Sequence, residues 1–228
     1  MEISTGAAIF GITAALVIMW LSLRKYTGFY SDKTLFKSLI LGFILGFIAF
    51  LVESFSYGVG ILFLILFPFV EQSVKFVGIN LPSYHGKRDT IIYGFVMGLG
   101  FGSIFAPLLI VVASKVLTSG YISIISSLLL GIGYILFHGS TGCLLGYGIY
   151  KGDEKWKYFV YSTALGFPLP AVEVFDILFS DIYSVIIARM VEMVYIVLIF
   201  IMVYRKICLL YTSPSPRDLS TSRMPSSA

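Results

Sequence analysis

Charge is what this chain has least of. Asp, Glu, Lys and Arg together make up 12% of its 228 residues, where a soluble domain carries about 25%. That shortage excludes an ordinary water-facing surface. Cysteine is nearly absent as well. Cys143 and Cys208 are the two present; they lie in or beside apolar runs and form neither a CxxC pair nor a disulfide framework. No basic stretch precedes the first apolar run, Gly6 to Leu23, and that run has spanning length, so no cleavable signal peptide is expected. Also missing are the short alternating segments of a membrane β-barrel.

What the chain does have is hydrophobicity: 58% apolar residues and a mean hydropathy of +0.94. A helix needs about 20 mostly apolar residues to cross a hydrocarbon core about 30 Å thick. The sequence supplies such runs one after another, which predicts an all-α polytopic transmembrane helical bundle of about seven helices. They fall at Gly6–Leu23, Leu35–Phe55, Gly58–Gly78, Thr90–Ala113, Tyr121–Tyr150, Trp156–Phe179 and Tyr183–Tyr204. The connections are short, and most carry Gly, Pro, Ser, Asp or Asn.

The net charge of +4 does not point to nucleic acid, because the basic residues sit at helix ends. The expected partner is the lipid bilayer. Arg24, Lys25, Lys33 and Lys37 occupy the first connection, Lys87 and Arg88 the third, and Lys151, Lys155 and Lys157 the fifth. Arg205 and Lys206 follow the last helix, whereas the alternate connections carry only Lys115. Positive charge marks the cytoplasmic side, which predicts an N-terminus outside and a C-terminus in the cytoplasm. Residues 1–207 read as one transmembrane domain. Residues 208–228 are polar and Ser/Pro-rich, unlike the rest, and read as a disordered, adapter- or vector-derived tail.

Ionisable groups at membrane depth are costly and face a bundle interior or a cavity. The candidates are Glu53, Glu71, Lys75, His138, Glu173, Asp176, Arg189 and Glu192. Glu71 and Lys75 are spaced i, i+4 in the orientation that suits an ion pair; they are either a structural pair or a carboxylate positioned in a pocket. His138 sits among Gly139, Ser140 and Gly142, small residues that let other helices approach. It is either a metal ligand or proton carrier, or a hydrogen bond between helices. Glu173 and Asp176 follow Pro168 and Pro170, which free backbone carbonyls and predict a kink; a solvated helix end explains both acids. Arg189 and Glu192, at i, i+3, read as an ion pair, and Glu53 as interfacial. The GLGFG run around Gly98, Gly100 and Gly102 has no preceding strand, so it is read as helix packing and not as a phosphate loop.

Three stretches in order, FVEQSVKF (Phe69–Phe76), RDTIIYGFVMGLGFGSIF (Arg88–Phe105) and FHGSTGCLLGYG (Phe137–Gly148), resemble the PrsW-type intramembrane proteases. These belong to the glutamic-type membrane proteases, a group that includes the CAAX prenyl endopeptidases. The resemblance covers roughly residues 5–180. The family pattern has a Glu-Glu-x-x-Lys helix, then an Asp leading into a helix with Gly-Leu-Gly-Phe-x-x-x-Glu-Asn, then a helix with an embedded His. Here the paired glutamates are Glu71 and Gln72, and Phe105 and Ala106 stand where the pattern has Glu-Asn. Where the family often has a His four residues before an acid or amide in a later helix, this chain has Val172 before Asp176.

The resemblance implies a hydrolase, an intramembrane peptidase acting on a membrane protein substrate. Glu71 would be the general base and His138 its partner, with Lys75, Gln72, Asp89, Glu173 and Asp176 in support. It also implies a metalloprotease-like option with a divalent metal such as zinc. A catalytic zinc takes three protein ligands and a water, so a third ligand such as Glu173 or Asp176 would be required. Two other functions fit the same residues. One is a catalytically silent relative acting as a membrane binding or regulatory protein, favoured by Phe105. The other is a small-molecule transporter component, for which Pro168 and Pro170 would suit a broken helix.

Overall fold

A computed structural model of the chain describes the backbone of residues 5–56, 61–116, 121–178 and 182–212. Side chains are described over 9–55, 66–107, 128–172, 174–175, 178 and 183–206. Eight α-helices follow one another: α1 (Thr5–Leu23), α2 (Asp32–Ser56), α3 (Ile61–Ile79), α4 (Thr90–Val116), α5 (Tyr121–Lys151), α6 (Lys155–Gly166), α7 (Pro168–Leu178) and α8 (Ile182–Thr212). A single 3-10 turn, Pro82–Tyr84, lies between α3 and α4, and no strand occurs among the described residues.

The predicted helix Trp156–Phe179 is two helices. Pro168 has no N–H to give and restricts the residue before it, so α6 closes at Gly166 and α7 restarts with Pro168 as its first residue. The Phe167 N–H falls back on the Ala164 carbonyl in a tighter 3-10 bond. At the other end of the chain α8 runs to Thr212, five residues beyond the predicted domain limit at Ile207. Residues 213–228, most of the predicted tail, lie outside the described residues.

Four helices are long and apolar enough to cross a membrane, over Asp32–Phe55, Thr90–Pro107, Leu128–Lys151 and Tyr183–Lys206. Their burial divides them into two classes. Thr90–Pro107 is 94% buried and Leu128–Lys151 72%, whereas Asp32–Phe55 is 33% and Tyr183–Lys206 17%. The antiparallel pair α4–α5 is therefore the centre of the bundle, with α1 and α2 packed on α4, and α6 and α8 on α5. The outer faces are lined by large apolar side chains, among them Phe36, Ile40, Ile44 and Phe47 on α2 and Ile187, Met190, Val194 and Leu198 on α8. So continuous an apolar surface is a solvent mismatch in water and a match in hydrocarbon.

Glycine lets the two central helices meet backbone to backbone. A Cβ on Gly98 would fall on the His138 carbonyl oxygen, and Gly94 and Gly142 each face the other's carbonyl in the same way. Close approach of this kind is the packing mode of helices in lipid, where van der Waals contact replaces the hydrophobic drive. It fixes the height of His138 against α4. On α2 the inward stripe is Leu35, Ser38, Gly42, Gly46, Ala49 and Glu53, all buried, at spacings of three or four. Glu53 therefore belongs to the interior face, not to the interface expected from its place near the helix end.

Candidate functional site

The third helix carries its polar residues on the buried side. Phe67, Pro68, Glu71, Gln72, Lys75, Phe76 and Ile79 are buried at helical spacing. Gly166 at the end of α6 leaves room for Pro68, since a Cβ there would meet the Pro68 ring at 2.7 Å. Phe76 packs on Trp156 and Phe159 of α6, with centroids 5.1 and 5.2 Å apart. This seating turns Glu71 and Lys75 toward α5.

There they meet His138. Lys75 Nζ lies 3.1 Å from His138 Nδ1 and donates to Thr141 Oγ1 at 2.7 Å. On the other edge of the ring, His138 Nε2 is 3.8 Å from Glu71 Oε1. That is beyond a hydrogen bond, and Nε2 has no hydrogen-bond partner among the described residues. Lys75, His138 and Thr141 are fully buried, and Glu71 is 8% exposed. Glu53 lies within electrostatic reach of Lys75, together with Glu71. The i, i+4 rule suggested Lys75 for Glu71 alone; the ammonium also reaches across to α5.

Aromatic rings close the site. Phe101 and Phe105, stacked on each other at 5.4 Å, pack on the His138 ring at 4.9 and 5.4 Å. The Lys75 ammonium sits over the Phe101 face, 4.9 Å from its centroid. Tyr134, one turn earlier on α5, approaches the imidazole at 6.0 Å. Gln72, the neighbour of Glu71 on α3, is fully buried, and neither atom of its amide has a hydrogen-bond partner among the described residues.

Four sequence-derived positions thus converge: Glu71, Lys75, His138 and the Phe105 position. Asp89 does not join them. It immediately precedes α4, where it accepts from Tyr93 Oη at 2.8 Å, and the same hydroxyl accepts from the Ser31 N–H at 2.9 Å. Nine residues of helix separate it from Gly98, about 13 Å at 1.5 Å per residue. Glu173 and Asp176 belong to α7, but their side chains lie outside the described residues. Arg189 and Glu192 form the expected ion pair, at 2.8 Å. No group of three or more His, Cys, Asp or Glu gathers among the described residues. Glu71 and His138 are two donors, one short of a zinc set.

A second concavity lies at the bundle end that carries the basic connections. It has a volume of about 410 Å³ and is lined by Asn80, His85, Tyr150, Asp153 and Lys155 among others. Twelve residues of α5 separate Tyr150 from His138, about 18 Å along the axis, so the two sites are distinct. His85 Nε2 is held there by the Asn80 carbonyl and side chain at 3.0 and 3.1 Å. No family model, curated protein or solved structure matches this chain.

Proposed function

We propose that the chain is an intramembrane peptidase of PrsW-like type, with Glu71 as general base and His138 as its partner. The observation that carries this reading is the 3.8 Å separation of Glu71 Oε1 and His138 Nε2 in a nearly closed interior. A water admitted beside the pair would touch both atoms. Glu71 would take one proton from that water, and the hydroxide so formed would add to the scissile carbonyl. The same proton then passes to the departing amine. A developing oxyanion in a dry interior needs preorganised donors, and the His138 ring edge and the unpartnered Gln72 amide are the available groups. Lys75 holds the ring in place. The substrate class is a transmembrane protein, reached laterally, because the outer faces of the bundle suit lipid.

Among the described residues Glu71 and His138 are two donors and do not complete a zinc site, and the proposed step uses no metal. The Lys and Arg of the first, third and fifth connections and after the last helix favour an N-terminus outside and a C-terminus in the cytoplasm.

A second reading is favoured by one observation. The Phe105 ring covers His138 where the family pattern has a carboxylate, which suits a silent relative that binds membrane proteins without cutting them. One experiment addresses both. The purified protein, reconstituted in lipid vesicles, is offered a set of fluorogenic transmembrane peptides. Cleavage by the native chain, reduced at least 100-fold in Glu71→Ala with the protein still folded, is the expected result. Native-like cleavage by Glu71→Ala overturns the assignment of the base. No cleavage by the native chain, with cleavage gained in Phe105→Glu, selects the second reading.

A further inference from the structure

We infer that Lys75 is a positioning residue that locks the His138 imidazole as the neutral Nε2–H tautomer, so that the ring offers Glu71 a hydrogen-bond donor instead of a base or a metal-binding lone pair. The inference deepens the site reading above and rests on the same cluster, but not on its activity.

The direction of each hydrogen bond follows from counting protons. The Thr141 hydroxyl has one hydrogen, and its oxygen lies 3.3 and 3.2 Å from the carbonyls of Phe137 and His138 in its own helix. That hydrogen is taken by the helix backbone, so toward Lys75 the hydroxyl oxygen accepts, at 2.7 Å. An ammonium has three hydrogens and no acceptor. Burial opposes charge at Lys75, and three features act against that cost: the Phe101 face beneath the nitrogen and the Glu71 and Glu53 carboxylates within electrostatic reach. A second Lys75 hydrogen therefore points at His138 Nδ1, 3.1 Å away, and Nδ1 accepts.

A neutral imidazole that accepts at one nitrogen carries its proton on the other. That other nitrogen, Nε2, faces the Glu71 carboxylate. Each alternative is worse. An imidazolium would set an Nδ1–H against the Lys75 N–H bonds, donor against donor. The Nδ1–H tautomer would do the same and would also turn the Nε2 lone pair toward a carboxylate oxygen. Both edges of the ring thus select one form. The ring has little freedom to escape the choice, being packed among Phe101, Phe105 and Tyr134, with its backbone carbonyl against Gly98.

Roles within the site follow. Glu71 alone can accept a proton from water, and His138 donates to whatever negative oxygen lies before it. Metal-bound histidines donate the distal N–H to an acceptor, which fixes the lone pair toward the metal. Here the distal nitrogen meets a donor, so the His138 donor set does not fit a metal.

The chain has two histidines, so His85→Ala leaves His138 as the single imidazole. Nitrogen-15 NMR of that variant, labelled with ¹⁵N-histidine and held in lipid at neutral pH, reads the tautomer directly. The expected spectrum has a protonated Nε2 and an unprotonated Nδ1. Lys75→Arg, which keeps a donor, preserves that pattern. Lys75→Met, which keeps length without a donor, loses it in favour of a mixture with protonated Nδ1. Added zinc leaves both native signals in place. A native ring that is Nδ1–H or doubly protonated overturns the inference, as does an unchanged tautomer in folded Lys75→Met. If Lys75→Met does not fold, the native spectrum and that of Lys75→Arg decide. An Nε2–H ring in a protein that cleaves nothing sinks the peptidase reading and leaves this one standing.

Discussion

A buried amide that makes no hydrogen bond costs about 1–3 kcal/mol in lost solvation, and Gln72 has both of its polar atoms in that condition among the described residues. A folded protein tolerates such a group where something else uses it. Replacing it with Leu removes the desolvated amide at similar volume. Gln72→Leu is therefore expected to raise stability in detergent by about 1–3 kcal/mol and, if the amide is an oxyanion donor as proposed, to cut cleavage in the vesicle assay at least tenfold. Thermal unfolding followed by helical signal checks the first and the vesicle assay the second. A loss of stability would mean that the amide is a structural bond in the native protein. At this scale the sequence was partly legible. Glu71, Lys75 and His138 stood out because ionisable groups are rare at membrane depth. The Lys75–His138 bond was not visible, since spacing along one helix says nothing of a partner 63 residues away. Glu53 reads as interfacial from the sequence because it lies near a helix end. The signal that finds it is the stripe from Leu35 through Gly42, Gly46 and Ala49, which continues to Glu53 at the next inward position.

Helices impose their own constraints on these residues. In an ordinary helix interior Gly→Ala stabilises by about 1 kcal/mol, because alanine is the better helix former. At Gly98 the sign reverses: the new methyl would fall on the His138 carbonyl, a backbone atom that cannot rotate away. Overpacking of this kind costs about 1–3 kcal/mol. Gly98→Ala is thus expected to destabilise and to disturb the imidazole together with the fold. Gly131→Ala, whose nearest neighbour is the Ala106 Cβ at 3.2 Å with backbone no closer than 3.5 Å, is expected to cost clearly less. Equal unfolding midpoints for the two variants would show that α4 and α5 separate more easily than their contact suggests. The sequence indicated close packing at Gly98, Gly100 and Gly102, and the prolines marked the α6–α7 break. It did not indicate that α4 and α5 form the buried centre while α2 and α8 lie outside: the two outer spans are the more apolar, but all four are apolar enough to cross a membrane, which does not by itself assign their neighbours. Hydropathy measures transfer from water and is blind to whether the neighbour is lipid or protein.

At the scale of the whole molecule, the lipid-facing surface and the charged ends have to agree on one orientation. The described contacts bring the basic connections to a common end. Tyr204 Oη donates to the Ser22 carbonyl at 3.3 Å, tying the end of α8 to the end of α1. The Ser31 N–H meets Tyr93 at the start of α4, and Lys206 lies over Tyr147 and Tyr158 at 4.9 and 5.3 Å. Lys87, Arg88, Lys151 and Lys155 border the same end through the 410 Å³ concavity and its flanks. Positive charge in short connections holds to the cytoplasmic side because it is not readily carried across. A cysteine placed at exposed Ser83 or Asp153, in a background with Cys143 and Cys208 replaced by Ser, should therefore resist a membrane-impermeant maleimide in intact cells and react once the membrane is opened. Labelling of intact cells at both positions would invert the topology. The depth of Glu71 and His138 would be unchanged by that inversion, but the side of the membrane nearer to them would be reversed.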